Sequence, residues 1–384
     1  MLGSWPLILA LWGAGLGAAM QYAKISVIYD LLGSVYPEGG AALGWLVSLV
    51  GSIGIVLGVV AAMLVARVRY RRALLGALWL GAAVSLGQAL LPPLPLMLAL
   101  RLVEGISHLA IVVAAPTLIA QIATDQQRGL ALTLWGTFFG VAFAVMVWGG
   151  LPLARSAGIP ALFALHAAYM ACFALYLAPR LWALPDEGEI GSVSLTAILA
   201  THKTIYTSSR IVAPAAGWLF YTFCFVSILT VLPPYLDPSL RALVMGAMPL
   251  TSIAVSMTLG VVLLRYTSAV TVVIAGFSAS ALCMLWLWAV PAGVPACLAL
   301  AAAMGLIQGA SFAAVPQLNA GAQAQTQANG AMAQMGNLGN TLGTPVMALA
   351  LAGWGYASLP LLAGAAFIAG LLLHLTLAAL RRKI

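Results

Sequence analysis

Long apolar stretches recur along the whole chain, and only short groups of charged, proline or glycine residues separate them. Lys, Arg, Asp and Glu together make up 6% of the 384 residues, whereas hydrophobic residues make up 63%. An average soluble domain is about a quarter charged, so charges this few cannot cover a surface exposed to water. The pattern excludes a soluble enzyme and predicts a polytopic membrane protein.

The apolar stretches predict an all-α fold with twelve transmembrane helices. A helix that crosses a bilayer needs about 20 predominantly apolar residues, and the breaks between stretches fall at charged, proline or glycine-rich points. The predicted helices cover residues 6–33, 42–66, 73–91, 96–121, 130–151, 160–178, 211–233, 241–264, 269–290, 293–317, 330–353 and 357–380.

The basic residues predict the orientation in the membrane. If the N-terminus is cytoplasmic, the outer loops carry only Arg155 and Arg241. The inner loops and ends carry Arg67, Arg69, Arg71, Arg72, Arg128, Arg180, Lys203, Arg210, Arg265, Arg381, Arg382 and Lys383. Basic residues collect on the cytoplasmic side, so we expect both termini in the cytoplasm and a bacterial inner membrane location. The net charge of +8 is an orientation signal rather than an indication of nucleic-acid binding.

A long polar stretch divides the chain into two halves of six predicted spans. Short internal matches indicate a repeat: Arg69-Tyr70 corresponds to Arg265-Tyr266, and LVEG at 102–105 resembles LIQG at 306–309. Both matches fall at equivalent places in the two halves. The predicted domains are an N-terminal six-helix bundle at 1–178, a cytoplasmic central loop at 179–210 and a C-terminal six-helix bundle at 211–384.

Two stretches carry a resemblance to a known family. The fourth predicted span contains RLVEGIS at 101–107, which is similar to the R-x-x-Q-G-x-G motif of the major facilitator superfamily, with Glu104 in place of the usual Gln. The family's motif after the second span is G-x-L-A-D-R-x-G-R-R. Residues 62–72 keep its basic run but lack its glycines and its acidic residue, where Ala66 stands. In layout the resemblance spans the whole chain.

The resemblance implies two pseudo-symmetric six-helix bundles that carry a solute by alternating access about a site near the bilayer midplane. It also implies that the loop after the second span is a conformational latch, here formed by Arg67, Arg71 and Arg72. The family's G-x-x-x-G-P-x-x-G-G motif, associated with proton antiporters, is only echoed between Gly136 and Gly140 and lacks its proline. The sequence therefore does not support an antiporter assignment.

Four ionisable residues stand out within the predicted spans: Lys24, Arg101, Glu104 and His108. Charged groups at this depth are costly and usually face a cavity or a partner. Residues 101, 104 and 108 lie on one face of the predicted helix. Arg101 can bind a carboxylate or phosphate of a substrate, or pair with Glu104. Glu104 can carry a coupling proton and His108 can relay it, with packing as the alternative role.

Lys24 follows Gln21 by three positions on the first predicted span, and its only acidic neighbour in sequence, Asp30, is six residues away. We therefore predict that Gln21 and Lys24 bind substrate, because an ammonium group without a fixed partner suits an anion. Two alternatives remain open. Lys24 can extend to the outer interface, or it can pair with Glu104 across two helices.

The second half offers neutral polar side chains within its spans. The predicted substrate-binding residues there are Tyr221, Gln308, Asn337 and Asn340. Gln308 takes the place that Glu104 holds in the first half, and Trp218 adds aromatic surface beside Tyr221. Hydrogen bonding between helices is the alternative explanation. Charges in one half and amides in the other favour a small anionic or zwitterionic organic solute.

These features predict a proton-coupled secondary transporter and not an enzyme. The sequence has no G-x-x-x-x-G-K-[ST] motif for ATP and no HExxH or GxSxG motif. We expect a monomer in the lipid bilayer, with a small-molecule substrate and protons as partners and neither cofactor nor metal. The alternatives are efflux of amphipathic compounds, an intramembrane enzyme or scaffold, and copper transport through the thioethers of Met245, Met248 and Met257.

Overall fold

The computed structural model describes residues 5–183 and 195–382, and within these residues the chain forms helices and no β-strand. The helices are α1 (Trp5–Ser26), α2 (Pro37–Leu57), α3 (Ala61–Val68), α4 (Tyr70–Ala89), α5 (Leu94–Ile122), α6 (Asp125–Trp135), α7 (Phe138–Ala157), α8 (Ile159–Trp182), α9 (Leu195–Thr207), α10 (Val212–Val231), α11 (Arg241–Leu263), α12 (Ala269–Ala289), α13 (Val294–Leu318), α14 (Ala322–Trp354) and α15 (Ser358–Arg382). The 3₁₀ turns Pro37–Ala42 and Leu49–Gly51 interrupt α2, and π-helical turns occur at Met146–Gly150 in α7 and Ser256–Gly260 in α11.

Ten helices of the described residues are long and apolar enough to cross a membrane. Two more helices are as long but contain more polar side chains. The first turn of α4 contains Arg71 and Arg72, and α14 contains several Gln and Asn residues. With these two, the helices are consistent with the twelve predicted spans. The predicted fold class, an all-α polytopic membrane protein, is confirmed.

Several helix boundaries differ from the prediction, and the predicted spans at 42–66 and 130–151 are each divided between two helices, α2 with α3 and α6 with α7. The first span ends at Ser26 instead of residue 33, and short helical turns follow it. α14 begins at Ala322 instead of residue 330, because Ala and Gln favour helix although Gln is polar. The predicted central loop contains α9 and the last turn of α8, so much of it is helical. Its residues 184–194 lie outside the described residues, as does Lys383.

The described chain packs as two compact units. The first comprises residues 5–40, 49–53 and 60–183, and the second comprises residues 41–48, 54–59 and 195–382. Two segments of α2 thus belong with the second unit. There Ser48 Oγ donates to the Asn340 carbonyl oxygen at 3.1 Å, and Gln334 Nε2 donates to the Ile55 carbonyl oxygen at 2.6 Å.

In the first unit, glycines let α1 approach large side chains of α6 and α8. A Cβ added at Gly15 would lie 2.5 Å from the Trp135 ring, and one at Gly17 would lie 2.5 Å from Met170 Sδ. The α1 backbone also accepts side-chain hydrogen bonds at this contact, because Tyr169 Oη donates to the Gly13 carbonyl oxygen at 2.8 Å. Small residues in membrane-spanning helices allow close helix packing of this kind.

The second unit has the same kind of contact between α10 and α14. A Cβ added at Gly339 would meet the Thr222 hydroxyl oxygen and the Leu219 carbonyl oxygen, and one added at Gly343 would meet the Phe223 carbonyl oxygen. A cluster of buried apolar residues in the same unit includes Ile205, Ala215, Val315, Ala331 and Met332. Residues of α9, α10, α13 and α14 therefore share one apolar core.

One residue, Arg69, connects α3 to α4, and it has a φ of 76° with a ψ of 129°. A side chain with a Cβ rarely adopts this backbone region. The family motif that this loop resembles has a glycine in its basic run, which fits the conformation. Arg69, which alone connects the two helices, therefore has a strained backbone conformation.

Replacing Arg69 by glycine should relieve this strain, and Arg69→Ala is the matched control because it removes the same side chain but keeps the Cβ. We expect Arg69→Gly to be more stable than Arg69→Ala by about 1 kcal/mol, after the greater freedom of glycine in the unfolded chain is subtracted. Thermal unfolding of the two purified variants in detergent measures the difference. An alanine variant at least as stable as the glycine variant would contradict it.

Candidate functional site

Lys24, Arg101 and Glu104 form a buried charge cluster in the first unit. Arg101 and Glu104 lie one turn apart on α5 and pair with each other, and Lys24 Nζ from α1 lies 2.6 Å from Glu104 Oε1. All three side chains are fully buried. The structure therefore brings together three of the residues predicted from the sequence, and it shows Lys24 paired with Glu104 instead of extended to the outer interface.

The Glu104 carboxylate accepts hydrogen bonds from three side chains. Lys24 donates to Oε1, while Arg101 and Gln88 Nε2 both donate to Oε2, the latter at 2.7 Å. Bonds from cationic donors to a carboxylate are among the strongest in proteins. Because a protonated carboxyl group would use one of these oxygens as a donor, the arrangement fits the ionised form of Glu104.

The Lys24 ammonium has three hydrogens, and polar atoms of three side chains lie within 3.3 Å of it. Besides Glu104, these are Ser85 Oγ at 2.7 Å and His166 Nδ1 at 3.3 Å. The Phe163 ring lies 5.4 Å from Nζ and covers another side of the group. The prediction of an ammonium group without a fixed partner therefore does not describe this structure.

His166 on α8 is bonded through both ring nitrogens. Nε2 lies 3.0 Å from the Gly17 carbonyl oxygen, and Nδ1 lies 2.7 Å from Ser85 Oγ. His166, Ser85 and Gln88 are functional candidates that were not predicted from the sequence. For His166 a signal was present, since an ionisable residue in the middle of an apolar span is itself a mark of a functional or paired group.

Gln21 and His108 lie beside the cluster and bond to other groups. Gln21 Nε2 donates to Ser107 Oγ at 2.9 Å, and Ser107 Oγ donates to the Ala77 carbonyl oxygen at 2.6 Å. His108 Nδ1 lies 3.0 Å from the Ala18 carbonyl oxygen, and its ring meets Tyr22 edge-on, with centroids 5.1 Å apart. The described hydrogen bonds thus join His108 to the α1 backbone and not to Glu104.

Three buried oxygens around the cluster have no hydrogen-bond partner among the residues that the structure describes: Gln21 Oε1, Gln88 Oε1 and Tyr22 Oη. Leaving such a group unpaired costs about 1–3 kcal/mol, so each is a place for a water molecule or a ligand atom. The two amide oxygens are acceptors. A bound molecule would have to present hydrogen-bond donors to them.

The cluster carries a formal charge of +1, because two cations share one carboxylate. A net charge buried in a protein is unfavourable unless a counter-charge compensates it. Ser85, Gln88 and Gln21 contribute dipoles but no charge. The first unit therefore contains one more buried positive charge than negative charge among these residues.

In the second unit, Gln308 and Tyr221 meet. Tyr221 Oη and Ser252 Oγ each donate to Gln308 Oε1 at 3.3 Å. Tyr221 also stacks between two other α10 aromatics, with ring centroids 4.5 Å from Trp218 and 5.5 Å from Phe225. The structure thus joins two predicted site residues to an aromatic stack on one face of α10.

The two asparagines of α14 are not bonded to that pair in the described structure. Asn337 Nδ2 donates to the Ala333 carbonyl oxygen of its own helix at 2.8 Å. Asn340 Oδ1 is buried and has no partner among the described residues. Nearby, Gln334 Oε1 accepts from Tyr206 Oη of α9 at 2.6 Å. Asn340 therefore offers an unused acceptor, whereas Asn337 is bonded along its helix.

The predicted latch residues lie around the connection between α3 and α4. The Arg71 guanidinium lies 4.5 Å and the Arg72 guanidinium 5.8 Å from the centre of the Trp182 ring, at the end of α8. Arg67 is exposed. Cation–π contacts thus fix two of the three arginines in the position where the family motif has its basic run.

Two near-isosteric variants test the charge of the cluster. Glu104→Gln leaves two buried cations without a counter-charge, and we expect it to destabilise the protein by about 3–5 kcal/mol. Lys24→Met leaves the neutral pair of Arg101 and Glu104, so the loss should be clearly smaller. Thermal unfolding of the purified variants in detergent measures both. Equal losses, or a larger loss for Lys24→Met, would contradict a cluster charge of +1.

Comparison with known proteins agrees with the fold described above. The crystal structure of a D-xylose-proton symporter superposes with a TM-score of 0.75 at 16% sequence identity, and the match covers 97% of this chain and 96% of the symporter. No curated protein matches the sequence. The sequence model of the major facilitator superfamily matches residues 7–344. The chain therefore belongs to the major facilitator superfamily and is a multi-pass membrane transporter of that family.

Proposed function

We propose that the protein moves a small polar organic solute that bears a negative charge, either an anion or a zwitterion, by alternating access and in company with protons. The observation that carries this proposal is the buried charge of +1 on Lys24, Arg101 and Glu104. A solute anion would supply the missing counter-charge, which makes its binding electrostatically favourable in a low-dielectric interior.

The unpaired acceptors support a solute that also carries donor groups. The oxygens of Gln21, Gln88 and Tyr22 lack partners among the described residues, and hydroxyl or ammonium groups of the solute would satisfy them. In the second unit, Tyr221 and Gln308 offer polar atoms beside an aromatic surface. Asn340 offers an unpaired acceptor, and Asn337 would contribute by exchanging its bond to Ala333. Hydroxy acids and amino acids combine both properties.

Coupling to protons is supported by the fold and by the cluster. One solved structure with a similar fold is that of a D-xylose-proton symporter, and the cluster around Glu104 contains several ionisable groups. We place the coupling function in this cluster. The participation of His108 stays a prediction, since its described bond is to Ala18.

The domain layout and the orientation are proposed with the same function. We infer six-span bundles at 1–178 and 211–384 joined by a central cytoplasmic segment, as a monomer in a bacterial inner membrane. The latch would be formed by Arg67, Arg71 and Arg72. The basic residues of the chain support this orientation, because they concentrate at alternate connections between spans.

A second candidate function is efflux of amphipathic cations. The stack of Trp218, Tyr221 and Phe225, with Phe312 edge-on to Trp218 at a centroid distance of 5.0 Å, favours it, since aromatic faces bind cationic and planar compounds. The buried positive charge of the first unit opposes it.

Matched pairs of compounds decide between the two. The purified protein is screened by thermal shift against lactate and gluconate, against their uncharged counterparts 1,2-propanediol and glucitol, and against ethidium. We expect at least one anion to raise the melting temperature while its neutral counterpart does not. Lys24→Met should abolish that shift because the counter-charge is no longer required.

Uptake of the same anions into proteoliposomes completes the test. An inward proton gradient should increase accumulation in the wild type. Stabilisation by ethidium alone would favour the efflux function, and equal shifts for the charged and neutral members of every pair would overturn the anion proposal.

A further inference from the structure

Glu104 is poorly placed to release and regain a proton. Its two oxygens accept three donors, of which two are cations. Protonation of the carboxylate would disrupt at least one of these bonds and would leave Lys24 and Arg101 buried with no counter-charge. The charge of the cluster would rise from +1 to +2, which the buried surroundings oppose.

Loss of a proton from Lys24 has the opposite effect on the same cluster. A neutral amine at Lys24 leaves one guanidinium and one carboxylate, so the formal charge falls from +1 to zero. Arg101 cannot take this role because a guanidinium is not deprotonated in proteins. Among the three charged groups, Lys24 is therefore the one whose proton can leave at the lowest electrostatic cost.

Ser85 and His166 form an oriented chain that begins at this ammonium group. The carbonyl oxygen of Gly17 accepts from Nε2 of His166, which leaves the lone pair on Nδ1. Ser85 Oγ accepts from Lys24 Nζ at 2.7 Å and, having one hydrogen, donates it to Nδ1 at 2.7 Å. Each donor in the chain faces an acceptor, as a proton transfer requires.

On the basis of the proton-coupled transport proposed above, we propose that Lys24 carries the coupling proton and passes it through the Ser85 hydroxyl to His166. An Nζ–H bond breaks and an Oγ–H bond forms, while the former hydroxyl proton of Ser85 forms a new bond to Nδ1. The products are a neutral lysine and an imidazolium. Ser85 then donates back to Nζ and accepts from Nδ1–H, so both hydrogen bonds persist with reversed direction.

The surroundings of Lys24 decide when the proton leaves. α5 presents Glu104 and Arg101 to it and α8 presents His166, while α4 presents the neutral Ser85 and Gln88. A bound anion compensates the charge of +1 and keeps Lys24 protonated. Without the anion, release of the proton from His166 to water leaves a neutral cluster. Anion and proton are thus bound together and released together.

Two transport assays in proteoliposomes separate binding from proton transfer. Lactate, gluconate and glutamate are tested in turn. Exchange of labelled for unlabelled anion, at equal concentration and equal pH on both sides, requires no net proton movement. Accumulation driven by an inward proton gradient requires it. A relay residue should affect the second assay and spare the first, whereas a residue with only a structural role should affect both alike.

Three substitutions and one control are compared with the wild type. We expect His166→Asn and Ser85→Ala to reduce proton-driven accumulation by about tenfold or more, with exchange within about twofold of the wild type. Ser85→Thr keeps the hydroxyl group and should restore accumulation. His374→Asn is the matched control, because His374 is a buried histidine of the second unit whose ring nitrogens have no described partner, and it should retain both activities.

The outcomes distinguish this inference from the function on which it rests. If the wild type exchanges an anion but a proton gradient does not drive its accumulation, proton coupling itself is refuted. If the wild type accumulates the anion and either Ser85→Ala or His166→Asn accumulates it equally well, transport is proton-coupled but the relay is refuted. Parallel loss of exchange and accumulation in Ser85→Ala, without rescue in Ser85→Thr, would also overturn the relay.

Discussion

The carboxylate of Glu104 is the interaction on which the first unit depends. Its oxygens accept hydrogen bonds from Lys24 of α1, from Gln88 of α4 and from Arg101 of its own helix, α5. A charge buried among apolar helices is tolerated only when partners of opposite charge and hydrogen-bond donors surround it. These helices therefore converge on one acidic group, and α8 joins them through the bond of His166 to Ser85 and its contact with Lys24.

Most of the fold could be predicted from the sequence because a helix that crosses the bilayer needs about 20 predominantly apolar residues. Apolar stretches of membrane-crossing length became helices near their predicted positions. Hydropathy gives no information about helices that form for another reason, such as high helix propensity. The first turns of α14 consist of Ala and Gln, whose helix propensity is high although Gln is polar, and α9 lies in a segment that hydropathy alone marks as a loop.

The candidate site could be predicted only in part, for a related reason. The spacing of Arg101 and Glu104 on one helix places them on one face, so their proximity follows from the sequence. The pairing of Lys24 with Glu104 depends on how α1 packs against α5, and the sequence left it as one of several alternatives. Ser85 and Gln88 are small or neutral polar residues that occur in many spans, and only their distance from charged groups distinguishes them.

Two hydrogen bonds between α8 and the backbone of α1 have a mechanical consequence. Tyr169 Oη donates to the Gly13 carbonyl oxygen, and one turn further along α1 the Gly17 carbonyl oxygen accepts from His166. A slide of either helix along the other would move both donors away from these carbonyl oxygens and break both bonds at once. We therefore expect α1 and α8 to move as one rigid body, which would keep the separation of Lys24 and His166 constant through the transport cycle.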